Sequence, residues 1–452
     1  MVASESGVAT AVLPPGPRSR SPFGHGADFI HDTVGFLRTC AREYGDIVTF
    51  RTGPQRTFLL NHPDYIEDVL VTNNRGFIKP FALRRMHLFL GDGLLSSDGE
   101  AWRRRRRLAQ PAFHKDRIAA YGAVMVAYAQ RRLAAWNGEH VRDLHEDMMQ
   151  ITYEIVGKTL FDADVGDRAA DVREALAVAL EHYQKLVSSF WILLPDAIPT
   201  PANLRLRKAI EHLDSAIYRV IDDRQTDGTD RGDLLSMLLR AQDEDGTRLS
   251  RQQLRDEVMT LMFAGHDTTA LTLTWCWYLL AQHPEVERKL HAELALVLGG
   301  RAPTVDDVPS LNYTAMIVNE VLRLYPPAWG IAREAVEDCE IGGYRVPKGS
   351  IVLMSQSVMH RDPRYFEHPD RFEPERWTNG LAKRLPKYAY FPFGGGQRLC
   401  IGNAFALLES VLLIGTIAQS YRFALATNHP VEPHAALTLR PRYGMQMVVH
   451  KR

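Results

Sequence analysis

The sequence predicts a mainly α fold with a small β portion, built as one large domain over residues 13–452 behind a flexible tail over 1–12. Three observations carry that expectation. Apolar residues recur at helical spacing through most of the chain, and strand-like runs are few and short. No internal repeat, low-complexity tract or long linker divides the 452 residues. A hydrophobic content of 45% and a charged content of 24% are those of a globular protein able to bury a large core.

Taken in order, Leu13-Pro14-Pro15-Gly16-Pro17 stiffens the start of the fold. Helical patterns follow at Thr33 to Tyr44 and Pro63 to Thr72, then in a long series from Asp116 to Leu160, and again at Val172 to Lys185 and Arg205 to Arg224. The polar run Thr226 to Gly232 reads as a surface loop. Strands are expected at Ile47 to Arg51 with Phe58 to Leu60. A hairpin-like stretch runs from Cys339 to Met354, turning at Gly342-Gly343 and at Pro347-Lys348-Gly349. Ser250 opens a long helix with Gln253 three residues on, a capping-box pattern. It runs to Gln282, and at ~1.5 Å per residue it spans roughly 48 Å. The last helix runs from about Ile401 to Tyr421, apolar at Phe405, Leu408, Val411, Leu412 and Leu413.

Composition excludes several functions. Lys plus Arg and Asp plus Glu both number 54, so no global field recruits nucleic acid or an anionic membrane. No run of 18 or more apolar residues and no positive leader occurs, which predicts a cytoplasmic protein without a membrane anchor. Four cysteines (Cys40, Cys276, Cys339 and Cys400) lie scattered, without paired spacing, as suits a reducing compartment.

One of those cysteines sits in Phe393-Gly394-Gly395-Gly396-Gln397-Arg398-Leu399-Cys400-Ile401-Gly402, a glycine-rich loop just before the last helix. Helix N-termini and close backbone N–H groups favour a thiolate there. A buried thiolate needs a cation or a metal to offset its charge. Haem iron also gives Arg398 a task, because a guanidinium pairs with a propionate. The spacing F-x-x-G-x-R-x-C-x-G resembles the haem-binding signature of the cytochrome P450 family, with every defining position filled, and the resemblance covers nearly the entire chain. It implies the P450 fold and a haem b whose iron is ligated by Cys400. Phe393 would pack beside the sulfur, and Gly402 would let the haem lie close to the helix. A thiolate ligand favours O–O cleavage, so the chemistry implied is activation of O2.

The long helix carries Ala264-Gly265-His266-Asp267-Thr268-Thr269 near its middle. A mid-helix glycine costs about 1 kcal/mol, and a threonine hydroxyl can bond the carbonyl four residues back. Together they can open a groove holding an acid beside an alcohol. The hexapeptide matches the family's oxygen-binding motif, so Asp267 and Thr268 inherit a proton-relay role, while His266 packs or faces solvent. Glu320 and Arg323, with Arg376 as third partner, resemble the E-x-x-R arrangement and imply a structural role. Trp102 and Arg106 match W-x-x-x-R, and with Arg333 they imply propionate contacts. The other arginines of Arg103 to Arg107 would face an acidic electron donor. Ala328, Trp329 and Gly330 with Ala264 are expected to face the substrate, and Phe81, Leu88 and the 190–194 run to roof it; a plain core explains these equally well.

The reading is a monomeric haem-thiolate monooxygenase acting on a lipophilic small molecule of terpenoid, fatty acyl or polyketide class. Its electrons would come from NAD(P)H through ferredoxin reductase and ferredoxin, because no electron-transfer module follows Arg452. The rivals are a haem-thiolate isomerase, dehydratase or peroxygenase, which the intact Asp267-Thr268 pair disfavours, and a haem or lipid carrier, which has no use for that pair.

Overall fold

Helices form where the periodicity places them, and the β portion is assembled largely from residues distant in sequence. The computed structural model describes residues 13–136, 140–163, 169–187, 198–242, 246 and 248–452. The tail over 1–12 and the 190–194 run lie outside the described residues. The chain forms two compact units, one from Met1–Pro80, Gly330–Glu367 and Leu385–Leu399, the other from Phe81–Trp329, His368–Arg384 and Cys400–Arg452.

The first unit is organised by a five-stranded sheet. Ile47–Thr52 turns back antiparallel on Gln55–Leu60, with Ile47 opposite Leu60. Gln55–Leu60 then pairs in parallel with Ile351–Met354, which in turn takes Ile331–Ala335 and, at the edge, Phe77–Ile78. Phe58, Leu59 and Leu60 are all fully buried, so the second half of this strand is covered on both faces and reads as a short apolar run. The Cys339–Ile341 and Tyr344–Val346 hairpin forms as expected, through Gly342 at φ 56° and Gly343 at φ 81°. Two successive positive φ values are the two-residue turn that glycine pairs favour. Ile351–Met354 does not extend this hairpin, because its hydrogen bonds go to strands from elsewhere in the chain.

The second unit is helical. Its axis is Arg251–Gln282, with the Ser250 capping box present as the sequence indicates. This central helix packs on Leu144–Phe161, Asn312–Leu324 and Asn403–Ala418. The expected series from Asp116 to Leu160 is interrupted. Lys115–Leu133 ends, and His140–Asp143 forms a strand against Gln446–Lys451 before the next helix. Asp143 causes the restart: its carboxylate accepts from the backbone N–H of His145 at 3.0 Å and of Glu146 at 3.4 Å, the N-cap role. The last helix covers Asn403–Ala418, shorter at both ends than expected, since the chain is already extended at Tyr421–Leu425. No helix among the described residues is long and apolar enough to cross a membrane, and all four cysteines are unpaired.

Candidate active site

The cysteine loop is shaped by glycines that no other residue could replace. Gly396 has φ 62°, and a Cβ there would lie 2.0 Å from the Leu70 carbonyl oxygen. Its N–H donates to the Tyr388 hydroxyl at 3.1 Å, against whose ring Gly395 is pressed. Past the loop, a Cβ on Gly402 would meet only a ring carbon of Phe113 at 3.8 Å. Cys400 is surface-accessible yet closely surrounded by protein. That burial pushes its thiol up, while the Gly402 N–H and the Arg106 cation pull it down. A sulfur in such surroundings is a poor free thiolate and a good ligand for a metal that supplies the missing positive charge.

The Gly99–Ala109 helix sorts its arginines by angular position. Arg103 and Arg107 are exposed, Arg106 is half-buried with its guanidinium lowered mainly by burial and raised by Cys400, and Trp102 is buried. Arg106 Nε donates to Gln110 at 2.9 Å. Arg105 departs from the expectation that the run faces a partner. It is buried and donates to Glu257 Oε1 at 3.0 Å, because three residues past Trp102 the helix points inward again. Glu257 Oε2 accepts from Leu94 N–H at 3.3 Å and the neighbouring Asp256 from Asp92 N–H at 3.0 Å, so the segment before this helix is clamped to the central helix.

Within the central helix, Ala264, Gly265 and Thr268 are half-exposed in an otherwise buried stretch, so one accessible face interrupts the core. The Thr268 hydroxyl donates to Ala264 O at 3.1 Å. His266 packs: its Nδ1 lies 2.7 Å from Met262 O and its ring stands edge-on to Tyr153 at 5.6 Å. Its carbonyl accepts from the buried Thr152 hydroxyl at 3.0 Å, a bond that ties the central helix to Leu144–Phe161. Asp267 is 1% exposed; Oδ1 accepts from Arg440 at 3.3 Å, and Oδ2 has no hydrogen-bond partner.

Glu320 and Arg323 are both fully buried and joined by two bonds of 2.8 Å. Glu320 also accepts from Arg376 Nε, the Glu373 N–H and the Trp377 indole, each at 2.9 Å, while Arg323 donates to the carbonyls of Pro369 and Arg371. Trp377 was not foreseen, since nothing local marks its indole as a partner for a residue 57 positions away.

The remaining expected residues are placed more loosely. Ala328 and Trp329 are half-buried, and the Trp329 indole donates to Ala436 O at 2.7 Å. Leu88 is half-buried, whereas Phe81 is exposed, with the Arg85 guanidinium 5.8 Å from its ring centre. In the first unit, Phe393, Arg398, Gly330 and Arg333 are half-buried, and Arg333 donates to Ala332 O at 2.9 Å.

Glu409 is a buried acid that the sequence does not announce. It lies on the Asn403–Ala418 helix, fully enclosed, and neither oxygen has a well-formed hydrogen bond. Burial pushes its carboxyl up to about 8, with Thr269 opposing. The fold therefore favours the protonated form. Stability from neutral Glu409 is complete below the ordinary value of 4.5 and is lost as pH rises toward 8. At ~1.4 kcal/mol per pKa step, a few kcal/mol are at stake. The urea midpoint is expected to fall between pH 5.5 and 8.5, and Glu409→Gln to flatten that fall; parallel slopes would show that Glu409 ionises freely.

A family model for cytochrome P450 matches residues 14–447. The chain belongs to the cytochrome P450 family, whose members bind haem b and use O2 with electrons derived from NAD(P)H through partner proteins. It is an oxidoreductase of the monooxygenase class. It is 40% identical to cyclooctatin synthase of Streptomyces melanosporofaciens, over 92% of this chain and 91% of that protein. It is 34% identical to pentalenene oxygenase of Streptomyces avermitilis, over 92% of each. The crystal structure of the cytochrome P450DA haem domain superposes with a TM-score of 0.89 at 28% identity, covering 98% of each chain.

Proposed function

We propose that this chain hydroxylates or otherwise oxygenates a lipophilic substrate of the terpenoid class, with Cys400 as haem ligand and Asp267 and Thr268 as proton relay. The residues fit the cofactor. A sulfur flanked by the Gly402 N–H and the Arg106 cation suits an iron-bound thiolate, and the bare face of Gly402 admits a flat macrocycle. By the resemblance, Trp102, Arg106, Arg333 and Arg398 would contact the propionates, and Phe393 would pack beside the sulfur. Once bound, the haem supplies an iron centre that activates O2, its thiolate favouring O–O cleavage.

The carrying observation is the accessible step at Ala264, Gly265 and Thr268 beside a buried Asp267 with one oxygen unpartnered. Asp267 takes a proton at Oδ2 and passes it toward the groove. The Thr268 hydroxyl, held by Ala264 O, orients the final transfer. Ala264, Ala328 and Trp329 are half-buried, and with Leu88, Phe81 and Gly330 they are the residues that the resemblance assigns to the substrate. Residues of this apolar character suit a terpenoid substrate, the class on which homologues act. Arg103 and Arg107, exposed on one face, suit an acidic ferredoxin fed by its reductase, and a monomeric cytoplasmic enzyme fits this arrangement.

Positioned proton transfer typically contributes ~10²–10⁴-fold in rate. Thr268→Ala is therefore expected to keep the haem spectrum and substrate binding while diverting most reducing equivalents into hydrogen peroxide. Product formed per NAD(P)H consumed, with peroxide quantified alongside, is the measurement. Full coupling in Thr268→Ala would remove this hydroxyl from the relay and favour a peroxygenase.

A further inference from the structure

The Gly99–Ala109 helix and the stretch leading into it are fastened to the central helix through two adjacent acids, Asp256 and Glu257. Both are buried. Glu257 holds the helix with each of its oxygens. Oε1 accepts at 3.0 Å from Arg105, on the second turn of the helix, and Oε2 accepts at 3.3 Å from the Leu94 N–H, in the lead-in. Asp256 Oδ2 accepts from the Asp92 N–H at 3.0 Å. The lead-in lies close against the central helix, since a Cβ on Gly93 would sit 2.0 Å from the Thr260 hydroxyl oxygen.

Between the lead-in and the helix stands Gly99 at φ 60°, with open space where a Cβ would be. A glycine in that conformation is a natural pivot. The bonds at Asp92 and Leu94 therefore place the start of the helix but leave its direction and rotation free. Arg105 removes that freedom. Arg103 pairs with Glu100 and Arg106 with Gln110, along the same stretch of chain, whereas Arg105 reaches a residue 152 positions away. Burial pushes the Glu257 carboxyl up and Arg105 is the strongest opposing influence, so carboxylate and guanidinium depend on each other. Around the helix, Trp102 stands about 60° from Arg105 and Arg106 about 100°, so a rotation that frees Arg105 carries both of them with it.

Resting on the reading of Trp102 and Arg106 as propionate contacts, we propose that Glu257 and Arg105 are a positioning pair for the cofactor, fixing the rotation at which the Gly99–Ala109 helix presents those two side chains. The pair acts on the haem through Trp102 and Arg106. Glu257 also precedes Asp267 by ten residues on one helix, roughly 15 Å, so the same rod carries the anchor and the relay step. A cation held beside the haem stabilises the electron added on reduction, and losing that setting lowers the potential.

Deleting one partner strands the other, so the decisive variant replaces both, Arg105→Met with Glu257→Met. Apolar pairs of similar volume commonly leave such sites as stable as before, and the net charge is unchanged. In the holoenzyme this double variant is expected to keep the urea midpoint and the red-shifted Soret band with carbon monoxide. It should lose haem to excess apomyoglobin several-fold faster and show a more negative ferric/ferrous midpoint potential. Glu257→Asp, which keeps the charge and shortens the reach, should move both quantities the same way by less. Unchanged haem loss and potential in these variants overturn the proposal, as does haem loss that only follows a falling urea midpoint. Added to Arg106→Leu, the double variant should contribute little further, because both act through one guanidinium; full additivity overturns it too. If Arg106→Leu alone leaves haem loss and potential unchanged, the propionate reading beneath fails. If Arg106→Leu changes them and the double variant does not, this proposal fails alone.

Discussion

Replacing Cys400 with serine is expected to abolish the red-shifted Soret band that carbon monoxide gives with the dithionite-reduced protein. Serine keeps the size of the side chain but replaces a polarisable sulfur with an oxygen that does not ionise at neutral pH. The Gly402 N–H and the Arg106 cation, which draw the Cys400 thiol down against its burial, then have no anion to stabilise. The other cysteines make the comparison sharp. Burial drives the thiol of Cys40 up to about 12 and that of Cys276 higher still, and Cys339 is raised by burial and by the neighbouring Asp68, Glu337 and Asp338. Among the described residues no cation or backbone donor lowers any of those three, so their serine variants should retain the band. Its persistence in Cys400→Ser would move the ligand elsewhere.

The second large effect concerns Glu320. Its carboxylate is the common acceptor for Arg323, Arg376, Trp377 and the Glu373 backbone, so Glu320→Ala leaves two guanidinium groups and an indole short of their acceptor at once. Breaking a buried pair by deleting one partner costs ~3–5 kcal/mol. We expect the urea midpoint to fall accordingly and haem retention per chain to drop with it. A double-mutant cycle with Arg323→Ala should show strong non-additivity, since the second deletion removes a charge already stranded. Additive losses, or an unchanged midpoint, would mean that the pair is better hydrated than its full burial indicates.

Local chemistry was legible in the sequence, and long-range chemistry was not. The central helix could be bounded at Ser250 and Gln282 because the capping box at one end and His283-Pro284 at the other act within a single turn. The cysteine loop, Asp267 with Thr268, and Glu320 with Arg323 were found because each is a short pattern. Trp377, Glu409 and Arg440 escaped for the opposite reason. Each acquires its significance from surroundings far away in sequence, and taken alone they are an ordinary tryptophan, a glutamate in an apolar helix and an arginine near the C-terminus. Arg105 was misjudged with its neighbours because a charge run was read as one surface, whereas the helical period sends its members to different sides. The two-residue glycine turn at Gly342-Gly343 was recognised, but the pairing of Ile351–Met354 with Gln55–Leu60 is not encoded near either strand.

That parallel pairing also sets an order of events during synthesis. Thr57 lies opposite Ile351, so the strand that completes this part of the sheet leaves the ribosome almost three hundred residues after its partner. At ~5–20 residues per second, Gln55–Leu60 waits roughly 15–60 s with an apolar edge that only later chain can cover. Only the antiparallel Ile47–Thr52 hairpin, available at once, can shield one side in the meantime. Chaperone demand should therefore be greatest while the helical middle of the protein is being translated, and a truncation before residue 351 should aggregate through this strand however well its helices form.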